Sequence, residues 1–376
     1  MTKTKNALLS AAKKAKNDEF YTQWTDIERE MNSYLEYDPD VFRGKTILLP
    51  CDDPEWSNFT KFFALHFRDY GLKKLISTSY APKSNADGAF YTPTPLEKHS
   101  PKYDESKSMQ RGRVFVLEAN DVNNDGVINI DDLQWSYLEG DGDFRSEEVI
   151  ALRDEADIVV TNPPFSLFRE FVAWLIEGGV KFSVIGSNNA VTYKEIFPLF
   201  QQNTLWFGPT ITSGDREFRV PERYPLNAAG FRVDKDGTKY IRVKGVRWYT
   251  NIDHGRRHEP LQLMTIADNI KFSKHKEIRG VGYQRYTNYD AIEVPFTDAI
   301  PSDYEGAMGV PITFLDKYNP DQFEILGSSK WVGLPISDFA EKGTYEQGGM
   351  RFYLPNGDGT HRRLYDRIVI IRKAVA

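Results

Sequence analysis

The sequence predicts an α/β protein built on a doubly wound sheet, and three observations lead there. Short apolar runs of buried-strand length recur along the first half of the chain, segments with apolar side chains at helical spacing lie between them, and after about residue 204 the pattern turns to hairpin-like alternation. With 376 residues the chain has room for a domain of ordinary size and a second module.

The elements follow in order. Residues 1–16 form a polar, Lys-rich arm or short helix. A helix is predicted over Asp26–Tyr34, with acidic residues early, where the helix dipole favours them. Lys45–Leu49 is a short apolar run stopping at Pro50, the form of a buried parallel strand. Ser57–Tyr70 sets Phe59, Phe62, Phe63 and Phe67 at helical spacing, and Lys74–Thr78 is a second strand. Strand, helix, strand is the seed of a doubly wound sheet. Val114–Leu117, Ile158–Thr161 and Phe182–Gly186 extend the strand series, with helices at Leu167–Glu177 and Asn188–Phe200. From about 204 to 252 the chain reads as hairpins, and the rest mixes Pro, Gly, aromatic and basic residues with a strand at Arg367–Ile371. A boundary near 253 divides the chain into 1–252 and 253–376.

Composition narrows the function classes. A 40% hydrophobic and 27% charged chain is globular rather than disordered. The single cysteine, Cys51, excludes an internal disulfide and a Cys-rich metal site. No apolar run approaches the roughly 20 residues of a membrane span, and no apolar stretch follows the basic N-terminus as in a signal peptide, so a cytoplasmic protein without membrane partners is expected. The net charge of −6 is uneven. Residues 101–160 carry 15 acidic and 6 basic side chains, whereas 242–285 carry 10 basic and 4 acidic. The basic window suits a nucleic-acid groove, and equally the solvated face of an ordinary domain.

The most informative stretch is Ile158-Val159-Val160-Thr161-Asn162-Pro163-Pro164-Phe165, an apolar strand running into a stiff turn and then a helix. Ligands of open α/β sheets sit beyond the carboxyl ends of strands, and two successive prolines fix the backbone there. Such rigidity serves the chemistry of an aromatic amino nitrogen, whose lone pair is delocalised into its ring. The Asn162 side-chain oxygen and the Pro163 carbonyl can accept from its two N–H bonds and localise that pair, with no competing donor from proline. Pro164 completes the turn, and Phe165 can stack on a base rotated out of a duplex. Asn-Pro and Pro-Pro also make plain turns; the strand before and the aromatic after favour the chemical reading. The motif indicates an amide or amino nitrogen acceptor before it indicates DNA.

Several stretches together resemble the EcoRI-type adenine-specific DNA methyltransferases: Asn17–Gln23, Cys51–Pro54 with Ser57–Phe59, Gly71–Ile76, Gly140–Ser146, Ala156–Glu170 and Gly309–Gly327. The resemblance implies a Rossmann-like methyltransferase sheet over 1–252 and a DNA recognition region over 253–376. It also implies transfer of a methyl group from S-adenosylmethionine to a flipped adenine in double-stranded DNA. A cognate restriction endonuclease would share the target site without forming a stable complex; a solitary enzyme is the other setting. By the same resemblance, Phe20, Tyr21 and Thr22 contact the methionine part of the cofactor. Pro50, Cys51 and Asp52 form the turn where the cofactor lies, Asp143 accepts from its adenine amino group, Phe144 packs on its ring, and Asn162 borders it. The sequence departs from the usual pattern twice: the first turn has no glycine, and Ile76-Ser77-Thr78-Ser79 offers hydroxyls where an acidic ribose ligand is usual. Asp52 and Asp53 could instead cap the following helix.

Arg256, Arg257, Lys271, Lys274 and Lys276 are the candidates for phosphate contact. The stretch from Asp121 to Asp132 has calcium-loop spacing, with Asp121, Asn123, Asp125, the Val127 carbonyl and Asp132 as ligands and Gly126 at the sixth position. It resembles a dockerin half motif; Asx-rich turns use the same residues and are preferred, with calcium as the alternative. His254 and His258 flank a basic loop, which favours DNA backbone over metal. The rivals are an RNA or protein methyltransferase and a DNA-binding protein that has lost catalysis.

Overall fold

The computed structural model describes residues 22–53, 57–81, 98, 100–212, 215–220 and 230–373. The chain divides into two units, one of residues 1–197 with 207–254, the other of 198–206 with 255–376.

In the first unit the strands are β1 (Thr46–Leu49), β2 (Lys74–Ser79), β3 (Arg113–Glu118), β4 (Gln134–Tyr137), β5 (Ile158–Thr161), β6 (Lys181–Ser187), β7 (Trp206–Phe207), β8 (Asp215–Val220), β9 (Phe231–Val233), β10 (Lys239–Lys244) and β11 (Val246–Thr250). Eight of them make one mixed sheet in the order β4-β3-β2-β1-β5-β6-β11-β7. β2, β1, β5 and β6 run parallel, with Ile47 opposite both Leu75 and Ile158. β3 and β4 add antiparallel at one edge, and β11 pairs antiparallel with β6. The chain leaves β1 towards β2 and later returns to its other side as β5. Two neighbouring parallel strands whose connections depart in opposite directions open a crevice at their carboxyl ends. β8, β10 and β9 form a separate three-stranded sheet.

Among the described residues, the helices of eight residues or more in this unit are α1 (Trp24–Tyr37), α2 (Asn58–Leu65), α3 (Glu147–Glu155) and α4 (Phe168–Glu177). Phe59, Phe62 and Phe63 of α2 and Ile27, Met31 and Tyr34 of α1 are buried with Ile47, Leu49 and Leu75 of the sheet. Each phenylalanine so buried contributes up to about 3 kcal/mol. α2 stops at Leu65, short of the expected Tyr70, where the chain closes in turns with His66 stacked on Tyr70 at 4.9 Å. The helix expected over Asn188–Phe200 is a 3₁₀ turn, Asn188–Thr192, and a short helix, Phe197–Gln201. Pro198 has no N–H to continue a helix through that point, which the periodicity alone hid. α3 has weak apolar periodicity and was not anticipated; Ser146 caps it by accepting from the Val149 amide.

Close packing in this sheet depends on Gly186 of β6. A Cβ there would lie 2.4 Å from Cε2 of Phe168, a buried ring that also meets Tyr249 at 4.9 Å. Gly186→Ala is therefore expected to lower stability by about 1–3 kcal/mol, read as a fall in melting temperature.

The second unit contains β12 (Ile292–Glu293), β13 (Met308–Pro311), β14 (Phe323–Ser328), β15 (Tyr353–Pro355), β16 (His361–Arg363) and β17 (Arg367–Arg372), with α5 (Ile266–Phe272). β12-β13-β17-β14 form one sheet and β15-β16 a hairpin. Glu293 is buried under Arg367, whose Nη2 donates to it at 2.7 Å, and also accepts from the Tyr286 hydroxyl.

Candidate active site

The turns after β1 and β5 meet at the crevice. The Thr161 hydroxyl, at the end of β5, lies 2.8 Å from the Pro50 carbonyl and 2.5 Å from Oδ2 of Asp52, both beyond the end of β1. Cys51 takes φ 67°, the left-handed conformation that glycine adopts without steric penalty. This accounts for the missing glycine: the tight turn is made, at a conformational cost carried by cysteine. Its amide faces Thr78 Oγ1 at 3.3 Å, and the Asp52 amide donates to the Thr78 carbonyl at 2.7 Å. Cys51→Val is expected to lower stability by about 1–2 kcal/mol, because a β-branched side chain tolerates this φ least, while Cys51→Gly is expected to retain it; paired thermal melts make the comparison.

Asp52 is buried. Its Oδ1 accepts from the Ser57 hydroxyl at 2.7 Å, and its carbonyl accepts from Thr60 at 3.1 Å and from Ser77. Burial pushes its carboxyl up to about 7, against the opposing donors Thr161 and Ser57 and with the aid of neighbouring Asp53. Ser57, not Asp52 or Asp53, caps α2, accepting from the Phe59 amide at 3.1 Å. Asp53 pairs instead with Arg113 at 2.8 Å, and the Arg113 Nε reaches Ser79 Oγ at 3.3 Å. The hydroxyls at the end of β2 thus brace the β1 turn.

The loop at 141–144 joins the same rim. The Ala81 amide donates to the Asp141 carbonyl at 2.7 Å, and Gly142, at φ 85°, lies so close that a Cβ would stand 2.5 Å from the Ser79 carbonyl oxygen. Asp143 accepts from Arg145 at 2.6 Å. Burial raises the Tyr80 phenol far above its ordinary value, reinforced by Cys51 and Asp143 beside it. From the other side, Asn58 Nδ2 donates to the Thr22 carbonyl at 2.8 Å. The Thr22 hydroxyl is buried and has no hydrogen-bond partner among the described residues.

Asn162 is half-buried directly after Thr161, Pro163 is buried, and Pro164 has φ −54° and ψ 120°. Phe165 opens a 3₁₀ turn into α4 and packs partly against the core. The structure therefore gathers Thr22, Pro50, Cys51, Asp52, Asp143 and the Asn162–Phe165 turn on elements that bond to one another around the ends of β1, β2 and β5. Phe20 and Tyr21 lie outside the described residues.

Two expectations need correction. The Phe144 ring is fully buried, 5.0 Å from Phe171 and 5.6 Å from Trp174, with the Arg145 guanidinium over it, so its faces belong to the core and not to a ligand. Arg257 is also buried: its Nη2 donates to Asn203 at 2.6 Å and its guanidinium lies 3.5 Å from the Trp206 ring centroid, which makes it a packing group rather than a phosphate contact. In the calcium-like loop, Asp121 accepts from the Gly126 amide at 2.7 Å, Asp125 from Val127 at 2.8 Å, and Asp132 from Val122 and Asn129 at 2.8 and 3.0 Å. Its carboxylates are turned onto their own backbone as in Asx turns, and no group of three or more His, Cys, Asp or Glu among the described residues could hold a metal. Arg256 is half-buried, and Lys271, Lys274 and Lys276 are exposed, Lys274 paired with Asp298 at 2.7 Å.

Sequence reasoning missed Thr161, Ser57, Thr60 and Ser77, which hold the β1 turn together. Their one signal was a hydroxyl in an apolar strand end for Thr161 and Ser77, and at the start of a helix for Ser57 and Thr60, which is too common to select them. Among the described residues no helix is long and apolar enough to cross a membrane.

The profile of the family described as "Adenine-specific methyltransferase EcoRI" matches residues 8–373. The type II methyltransferase M.EcoRI of Escherichia coli is 42% identical over 327 residues, 87% of this chain and 90% of that protein. M.MpnI of Mycoplasma pneumoniae and M.MgeORF184P of Mycoplasma genitalium, also type II methyltransferases, are each 37% identical over 318 residues, 84% of this chain and 83% and 84% of theirs. No solved structure matches.

Proposed function

Since the chain belongs to the EcoRI adenine-specific methyltransferase family across nearly its whole length, it is a DNA adenine methyltransferase, and we propose that the turns after β1 and β5 are its active centre. The observation that carries this assignment is the Thr161 hydroxyl, which bridges the end of β5 to Pro50 and Asp52 one residue before Asn162. The parallel order β2-β1-β5-β6 supports a Rossmann-like core for the first unit. The second unit is the DNA recognition region, and exposed Lys271, Lys274 and Lys276 suit phosphate contacts that position a duplex.

The residues present fit S-adenosylmethionine. Its charged amino acid and sulfonium and its nucleoside hydroxyls call for carboxylates and small polar groups, which the buried Thr22 hydroxyl, the Pro50-Cys51-Asp52 turn and Asp143 provide. Phe20 and Tyr21 precede Thr22 in the same role, and Asn162 borders the site. When bound, S-adenosylmethionine supplies the methyl group. The chain's own residues prepare the acceptor. Asn162 and the Pro163 carbonyl hold the two amino protons of an extruded adenine and draw the nitrogen lone pair out of conjugation, Pro164 keeps the turn rigid, and Phe165 covers the base. The enzyme works in the cytoplasm, alone or alongside a restriction endonuclease that shares its target word.

Labelled methyl transfer tests this reading directly. Incubation with duplex DNA, RNA and protein acceptors is expected to label duplex DNA, with N6-methyladenine found at one recurring word on sequencing. Label confined to RNA or protein would overturn it.

A further inference from the structure

Beside the β15–β16 hairpin lies a cleft of about 630 Å³ whose walls come from residues 343–347, 351, 356 and 360–365 of the second unit. Its charged lining is uneven: Arg351 is paired with Asp366 at 2.8 Å, which leaves Arg362 and Arg363 against one lining carboxylate, Glu346. We propose that this cleft reads base edges in a DNA groove, with Arg362 and Arg363 as the residues that discriminate sequence. The proposal rests on the methyltransferase reading above.

Two features single out these arginines. The first is how they are held. Arg43, Arg145, Arg232 and Arg285 each pair with a carboxylate, which fixes the side chain and cancels its charge. Arg362 instead donates to the side-chain oxygen of Gln284 at 3.0 Å, and Arg363 to that of Gln347. A neutral amide aims a guanidinium without neutralising it, so the group keeps its attraction for a polyanion and its remaining donors. Gln347 is itself set in place: its φ is 51°, in the left-handed region, and its carbonyl accepts from the Tyr353 hydroxyl at 2.9 Å. Strain of that kind is retained where the surroundings fix it, and here it points the amide at Arg363.

The second feature is the platform. β15 and β16 pair Tyr353 with Arg363 and Leu354 with Arg362, and Tyr353 and Leu354 are both buried, one on each face of the ribbon. Tyr345 forms an isolated bridge to His361, whose amide donates to the Thr344 carbonyl at 2.8 Å, which ties a neighbouring turn to the ribbon. At the tip, the Asn356 amide donates to the Thr360 carbonyl at 2.9 Å, with Gly357 and Gly359 both at φ 85°. A two-stranded ribbon fits the major groove, where an arginine fork matches the two acceptors on a guanine edge. Arg362 and Arg363 project to opposite faces of the ribbon and both line the cleft, so a groove that takes in the ribbon meets one amide-held arginine on each side. Tyr365, 88% exposed at the rim, adds an aromatic face to the same approach.

The test is the paired substitution Arg362→Lys with Arg363→Lys, which keeps both charges and removes both forks. Once the wild-type word is known, kcat/KM is measured on that word and on every single-base variant of it. The expected result is a fall of about 10- to 100-fold in discrimination at one or two positions, with an unchanged salt dependence of duplex binding. Unchanged discrimination overturns the proposal, and so does a uniform loss on all words with a shallower salt slope, the mark of a backbone contact. Gln284→Ala alters only an exposed amide and guards against misfolding; it is expected to reduce discrimination about threefold, and no change there counts against the proposal as well. A wild type that methylates no DNA removes the methyltransferase reading instead, whereas a wild type with a clear word that the lysine pair still respects removes only the cleft assignment.

Discussion

Asn162→Ala is expected to cut methyl transfer to adenine by at least about 100-fold while leaving cofactor and duplex affinity within about threefold of wild type. The reason is geometric. Asn162 follows the Thr161 anchor and precedes two prolines, so its side chain sits on the stiffest part of the crevice. In the proposed role its oxygen contributes to binding the ground state, with the larger effect as the amino nitrogen becomes tetrahedral and its protons more acidic. Losing an acceptor used chiefly in the transition state lowers kcat and spares affinity. Single-turnover methylation with separate binding measurements on cofactor and DNA makes the distinction. A variant that loses duplex binding in proportion to activity, or retains activity, sinks the assignment.

The second large effect concerns Glu30 and pH. Glu30 is fully buried on α1, where its carboxylate accepts from the Tyr34 hydroxyl at 2.7 Å, from the Thr210 amide at 3.1 Å and from the Thr210 hydroxyl. Gly208 approaches so closely that a Cβ there would stand within 1.9 Å of the carboxyl oxygen. Burial raises the Glu30 carboxyl from 4.5 to about 7, and the donors from Thr210 and Tyr34 only partly oppose this. A carboxyl raised in the folded state favours folding while it stays protonated. Its contribution is therefore full below pH 4.5 and is lost as pH rises through 7. The difference corresponds to about 3 kcal/mol. Unfolding by denaturant across pH 4.5–8 is expected to show wild type losing that much relative to Glu30→Gln, in which nothing titrates at this position. A constant difference across the window would contradict it.

Local chemistry made much of this protein legible before any coordinates. Ile158-Val159-Val160-Thr161 is a buried strand with all four residues inside, as an apolar run bounded by a stiff turn requires, and Asn-Pro-Pro-Phe follows at its carboxyl end. The strands at 46–49 and 74–79 and the helix from Trp24 were readable for the same reason, since periodicity and chain breakers act over a few residues. Stretches along most of the chain carried the family resemblance, and with it the reaction.

What the sequence could not decide was everything set by partners distant in the chain. Whether Phe144 faces a ligand or the core depended on Phe171 and Trp174, and whether Arg257 is surface or interior depended on Asn203 and Trp206. The absent first-turn glycine looked like a defect until the backbone showed Cys51 in the glycine conformation, held by Thr78 from the neighbouring strand. Thr161 reads as one more strand residue until β5 lies beside β1 and brings Pro50 and Asp52, more than a hundred positions away, within hydrogen-bond reach. Local propensity thus determined most elements around the crevice, and the family resemblance the reaction. Burial, charge state and the meeting of the two turns were decided by tertiary packing, because they depend on which groups lose water together.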